Sequence, residues 1–149
     1  MTILHQHPAP GSALRAFAGD VLLLELELSE PQAGRAWLRT NLGRAALRRR
    51  ELIESVRDCR SPLARDWHDL PMVRVSERRF AIRVPLLEPG VFAAKACFTA
   101  ADEQSPIWPE GKNLTIKVAS AATCAGNSVY TAFPRQFGPN LALEASPPA

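Results

Sequence analysis

Between Val21 and Leu28, leucine recurs at every second position: Leu22, Leu24, Leu26 and Leu28, with Glu25 and Glu27 between the last three. Successive side chains of a strand point to opposite faces, so this spacing requires an extended segment with one buried side. A helix would scatter the same leucines around its circumference. A strand with one greasy face must lay that face against a second apolar layer, and this sets what the remainder of the chain has to supply.

Several later segments repeat the pattern. Arg35–Thr40 puts Ala36 and Leu38 on one face and Arg35, Trp37 and Arg39 on the other. Met72–Val75 leads by a short turn into Phe80–Val84, where Phe80, Ile82 and Val84 alternate with Ala81 and Arg83. Pro85 and Glu88-Pro89-Gly90 interrupt the chain before Val91–Phe98, with Phe92, Ala94, Ala96 and Phe98 on one side. Leu114, Ile116 and Val118 close the series. Glu30-Pro31-Gln32-Ala33-Gly34 and the polar stretch Asp102–Ser105 supply turn residues between strands.

The alternation breaks over residues 41–56. There Ala45, Ala46, Leu52, Ile53 and Val56 recur at helical spacing, and Ser61-Pro62 supplies a stop. Six or seven short strands with one inserted amphipathic helix predict a mainly β fold, an immunoglobulin-like antiparallel β-sandwich with one inserted α-helix. The expected organisation is a flexible N-terminal arm over residues 1–19, the sandwich over 20–119, and a linker with a further apolar segment over 120–149. A chain of 149 residues is long enough for one such core and too short for a complete eight-stranded α/β barrel.

Other classes are disfavoured by composition. The longest uninterrupted apolar runs, such as Val21–Leu24, fall far short of a membrane span, so no membrane partner is expected. The start, Met1-Thr-Ile-Leu-His-Gln-His-Pro, has neither a basic nor an apolar leader region, which predicts a cytoplasmic location. Cys59, Cys97 and Cys124 form no C-x-x-C pair and read as reduced thiols. His5 and His7 on a terminal arm make a poor metal site, so neither metal nor cofactor is expected. The net charge of +3 rests on 15 arginines against 3 lysines. Arg44 and Arg48-Arg49-Arg50 fall on the helix with Glu51 and Glu54 at pairing distance, the pattern of a solvated face, and no aromatic or glycine interleaving suggests nucleic acid.

No nucleophile elbow, Walker, dinucleotide or H-E-x-x-H pattern is present. Asp66, His68 and Asp69 around Trp67 read as a loop that turns before a strand, so no catalytic residue is predicted. The three tryptophans say more. A pyranose ring can stack its apolar face on an exposed indole while polar neighbours bond its hydroxyls. Trp37 leads these candidates, because alternation places it between Arg35 and Arg39 on a polar face, while Trp67 and Trp108 fall in loops. Burial as packing residues, or stacking on guanidinium, is the competing reading for each.

Residues 34–138 resemble the N-terminal region of large bacterial proteins of the α-amylase superfamily, of the amylo-α-1,6-glucosidase or glycogen-debranching type. Gly34-Arg-Ala-Trp-Leu-Arg-Thr-Asn41, Ala64-Arg-Asp-Trp-His-Asp-Leu-Pro-Met72, Pro85-Leu-Leu-Glu-Pro-Gly90, Trp108-Pro-Glu-Gly-Lys-Asn113 and Asn127-Ser-Val-Tyr130 carry the likeness. Tyr130, Phe133, Arg135 and Phe137 look like the first strand of that superfamily's catalytic barrel. The resemblance implies a non-catalytic accessory domain that packs on the barrel of a longer parent enzyme and binds α-glucan weakly, with Trp37, Trp67 and Trp108 as candidate carbohydrate-binding residues. Glycoside cleavage needs two carboxylates about 5–9.5 Å apart on a rigid cleft, and a sandwich domain alone does not provide them. The alternative expectation is a protein-interaction or self-association module, using the sandwich edge or the apolar segment 129–137 with Tyr130, Phe133 and Phe137 to form a homo-oligomer.

Overall fold

A computed structural model of the chain describes residues 1–123. It contains nine strands and one helix in the order β1 Leu4–His7, β2 Ala13–Phe17, β3 Val21–Leu28, β4 Gly34–Thr40, α1 Ala45–Asp58, β5 His68–Pro71, β6 Val73–Arg74, β7 Arg79–Pro85, β8 Gly90–Ala100 and β9 Leu114–Ala119. A 3-10 turn follows at Ala121–Thr123. Two sheets result, a four-stranded sheet in the order β1-β3-β7-β6 and a five-stranded sheet in the order β2-β9-β8-β4-β5. The fold is thus a mainly β sandwich of two sheets with one inserted helix, as expected. Every pairing is antiparallel except β2 with β9.

The alternating leucines of β3 turn inward, Leu22, Leu24, Leu26 and Leu28 all being buried, while Leu23 between them is exposed on the other face. Opposite them the five-stranded sheet presents Ala36, Leu38, Ala94, Ala96, Phe98, Leu114 and Ile116. The alanines Ala36, Ala94 and Ala96 stand among larger side chains of both sheets, and such mixing of sizes lets two layers close to core density. Phe80 and Phe98 meet across the layers with ring centroids 5.7 Å apart and planes tilted by 51°, an arrangement that favours the electrostatics of aromatic pairs.

Residues 1–19 are not an arm outside the sandwich. Leu4–His7 forms an edge strand of one sheet and Ala13–Phe17 an edge strand of the other. Each strand is only four or five residues long, and the intervening Pro8, Pro10 and Gly11 hide the alternation. Gln6 is buried within this stretch. Its Oε1 accepts the Ala96 N–H at 2.8 Å, and its Nε2 donates to the Pro8 carbonyl at 2.9 Å. On that side of β8, pairing with β9 ends at Ala94 and resumes only where Phe98 pairs with Ile107. The Gln6 amide fills the gap between them.

The helix spans Ala45–Asp58, displaced from the 41–56 expectation because Thr40 still pairs with Ala94 and His68, and residues 41–44 turn the chain out of the sheet. No side chain of its own caps its first turn. Instead the Ala45 N–H donates to Glu88 Oε1 at 2.8 Å, a carboxylate reaching across from the β7–β8 connection, where the positive end of the helix favours it. The apolar stripe does not face the core: Leu52, Ile53 and Val56 are exposed, and the helical residue that is buried is Glu51. Glu51 accepts the Leu63 N–H at 2.7 Å and the Arg65 N–H at 3.2 Å, tying the segment after the helix back onto it.

Candidate functional site

The outer face of the five-stranded sheet carries the residues that alternation turns away from the core. Arg39 on β4 lies in register between Asp69 on β5 and Lys95 on β8. Its Nε and Nη2 donate to the two Asp69 oxygens at 2.8 and 2.9 Å, the two-pronged geometry that a planar guanidinium favours. Through these bonds Arg39 holds the Asp69 carboxyl below its ordinary value. Lys95 faces Arg39 as a like charge, and its ammonium donates to the Gly111 carbonyl.

Trp108 follows directly on Ile107, which pairs with Phe98 on the side of β8 away from β4. The Arg39 guanidinium carbon lies 5.2 Å from the Trp108 ring centroid, within cation–π range. One indole face is therefore covered by a cation that Asp69 already holds in place.

Trp67 is placed by the residue that follows β4. Asn41, 4% exposed, accepts the Ala93 N–H at 2.9 Å through Oδ1 and donates through Nδ2 to Asp66 Oδ2 at 3.1 Å. Asp66 is equally buried and immediately precedes Trp67, whose own N–H donates to the Ala64 carbonyl at 3.2 Å. Ala64 has φ 55°, a left-handed conformation that an alanine adopts at a cost of roughly 1–2 kcal/mol. Arg39 near the end of β4 and Asn41 just beyond it thus act on the two loop tryptophans.

Trp67 and Trp108 line one depression of about 370 Å³ together with Arg39, Lys95 and Asn113. Trp37 does not join them. It stands on the same face of β4, in register with Cys97 and Pro71, but lines separate shallow depressions toward Gly34, Arg35 and Thr99 and toward Met72 and Arg74. Cys97 also points to this outer face yet is only 3% exposed, and burial pushes its thiol up to about 11.

Asp66, His68 and Asp69 do not converge. Asp66 is bonded to Asn41 and Asp69 to Arg39. His68 and Asp69 are neighbours on β5 and so project to opposite faces. The His68 Nδ1 is buried without a hydrogen-bond partner among the described residues. His5 and His7 lie on the exposed side of β1 in register with Glu27 and Glu25, and among the described residues no three metal-ligating side chains are grouped to hold an ion. Another depression, between α1 and residues 60–65, is lined by Glu54, Arg57, Asp58 and Arg65, whose charges pair with one another. Tyr130, Phe133 and Phe137, together with the rest of the expected barrel strand, lie outside the described residues. No described helix is long and apolar enough to cross a membrane.

Sequence reading found Trp67 and Trp108 but missed Arg39, Asn41, Lys95 and Asn113 as their companions. Arg39 and Lys95 are legible as outward residues of their strands; that they are cross-strand neighbours depends on register.

A β-sandwich whose sheet face carries two loop tryptophans beside cationic and amide groups is the class of protein that fold and site define. No protein-family model matches the sequence, and no curated protein matches it. Among solved structures, an engineered protein determined at 1.98 Å matches with a TM-score of 0.46 and 8% identity, covering 80% of this chain and 20% of that one. The chain therefore spans about one fifth of the length of that structure.

Proposed function

We propose that this chain is a non-catalytic accessory domain of an α-glucan-active glycoside hydrolase of debranching type, packing on the catalytic barrel of a longer parent and binding α-glucan through the outer face of its five-stranded sheet. The observation that carries the binding role is the convergence of Trp67 and Trp108 on one depression with Arg39, Lys95 and Asn113. Indole faces take the C–H side of a pyranose, while guanidinium, ammonium and amide donors bond its hydroxyls. A shallow, open site of this kind suits weak binding. The accessory role and the parent's class come from the resemblance of residues 34–138 to α-amylase-superfamily N-terminal regions.

Retention on an amylose gel tests the binding role. The wild-type chain is retained and released by maltose; Trp67→Ala and Trp108→Ala lose retention, and Trp37→Ala keeps it. Retention unchanged in both Trp67→Ala and Trp108→Ala overturns the assignment. Incubation with maltodextrin, with reducing ends assayed, tests the non-catalytic part: turnover above a heat-killed control overturns it.

The alternative, a self-association module, draws on the sandwich edge. Val73 and Val75, on and beside edge strand β6, are more than half exposed, although a two-residue edge offers few backbone groups for pairing. A concentration-dependent rise in mass by light scattering, abolished by Val73→Lys, favours that reading.

A further inference from the structure

Trp67 walls two depressions, not one. The second, of about 360 Å³, lies between α1 and the start of β8 and is lined by Trp67, Arg48, Leu52, Pro62, Val91 and Thr115. The two are offset by one strand repeat. β4 with the residue after it gives Arg39 to the first and Asn41 to the second, β8 gives Lys95 and then Ala93, and β9 with the residue before it gives Asn113 and then Thr115. Two residues along a strand span about 6.6 Å, a step of the order of one sugar ring.

The second depression has its own sugar-binding chemistry. Leu52 and Val91 are each about half exposed, and together with Pro62 they give an apolar floor beside the indole. Arg48 is held in place by donation from Nη1 to the Val91 carbonyl at 2.8 Å, which leaves further guanidinium donors. The carboxylates there are occupied: Glu51 takes the backbone of Leu63 and Arg65, and Asp66 takes Asn41. What faces a ligand is thus apolar surface and donors, matched to hydroxyl and ring oxygens.

We infer that the saccharide path continues past Trp67 into this second subsite, so that the ligand is an extended glucan chain running along the strands rather than a short oligosaccharide. This rests on the α-glucan reading above. Calorimetric titration of the full chain with maltotriose and with maltoheptaose tests it. Wild type binds maltoheptaose about tenfold tighter than maltotriose, and Arg48→Ala and Leu52→Ser bring maltoheptaose down to the maltotriose level while leaving maltotriose unchanged. Both side chains are exposed, so the variants keep the fold, and equal melting temperatures verify this. Equal wild-type affinities for the two lengths, or a length preference that survives both substitutions, overturn the inference while leaving the first site standing. No binding of either glucan overturns the α-glucan reading and this inference with it.

Discussion

Arg39 is clamped between Asp69, which takes two of its hydrogen bonds at 2.8 and 2.9 Å, and Trp108, whose ring centroid lies 5.2 Å from its guanidinium carbon. A loop tryptophan is thereby given a fixed backing by a strand. Holding an aromatic platform in place before a ligand arrives removes ordering cost from the binding step, so the ion pair matters to the site more than to the fold.

Asp69→Asn is accordingly expected to change stability little. Both side chains of the pair are about half exposed, and exposed pairs contribute about 0.2–1 kcal/mol. Glucan retention should drop, and Trp108 emission should shift as its backing loosens. The same release should follow acidification. The folded carboxyl of Asp69 titrates below its ordinary 3.8, so its contribution is present above that value and is lost as pH falls through the lower folded one. Retention that persists in Asp69→Asn and at low pH in the folded protein would contradict the clamp.

Asn41→Ala should be far more disruptive than its size suggests. It removes the acceptor of the Ala93 N–H and the donor to the buried Asp66 carboxylate. Leaving such groups unpaired costs about 1–3 kcal/mol each, more where one is charged. A urea midpoint lowered accordingly, together with increased exposure of Trp67 by fluorescence quenching, is the expected result; a midpoint within error of wild type would show that Asn41 does not anchor this corner.

Gln6→Ala tests whether the first strand belongs to the core. Its Oε1 satisfies the Ala96 N–H, which lies in the interval between the Ala94 and Phe98 pairings on that side of β8. Destabilisation of about 1–3 kcal/mol is expected from the orphaned amide, with fast hydrogen exchange at Ala96. A residue on a loose arm would show neither.

Cys97 should resist alkylation. Its thiol is pushed to about 11, first by burial and then by the nearby Asp69 charge, and the thiolate is the reactive form. In a Cys59→Ser, Cys124→Ser background, the remaining thiol should react at pH 8 only after denaturant is added. Because the folded value exceeds the ordinary 9.0, this thiol's contribution to stability is complete below the unfolded value and is lost as pH rises through about 11. Rapid labelling of the native protein would show that the outer face over Cys97 is open.

How much was legible varies by element. The strand from Val21 to Leu28 was readable to the residue, because one continuous apolar face leaves a single choice of which side chains go in. β5 was read as a loop, since His68-Asp-Leu-Pro71 is short, and it is held by pairing with β4 rather than by a pattern of its own. The helix was found, yet its exposed Leu52, Ile53 and Val56 show that helical spacing of apolar residues does not say which face is covered.

By itself, the sequence determined the layered β architecture, because alternation dictates which half of each strand leaves water. It also determined that Trp37, Arg39 and Lys95 point away from the core, and that Trp67 and Trp108 lie in loops. Only the tertiary structure decided that Trp67 and Trp108 share a depression while Trp37 stands apart. That outcome follows from strand register and from two long-range anchors, Arg39–Asp69 and Asn41–Asp66, each joining residues 25 to 30 positions apart. Local periodicity carries no information about such distances; packing of the whole chain sets them.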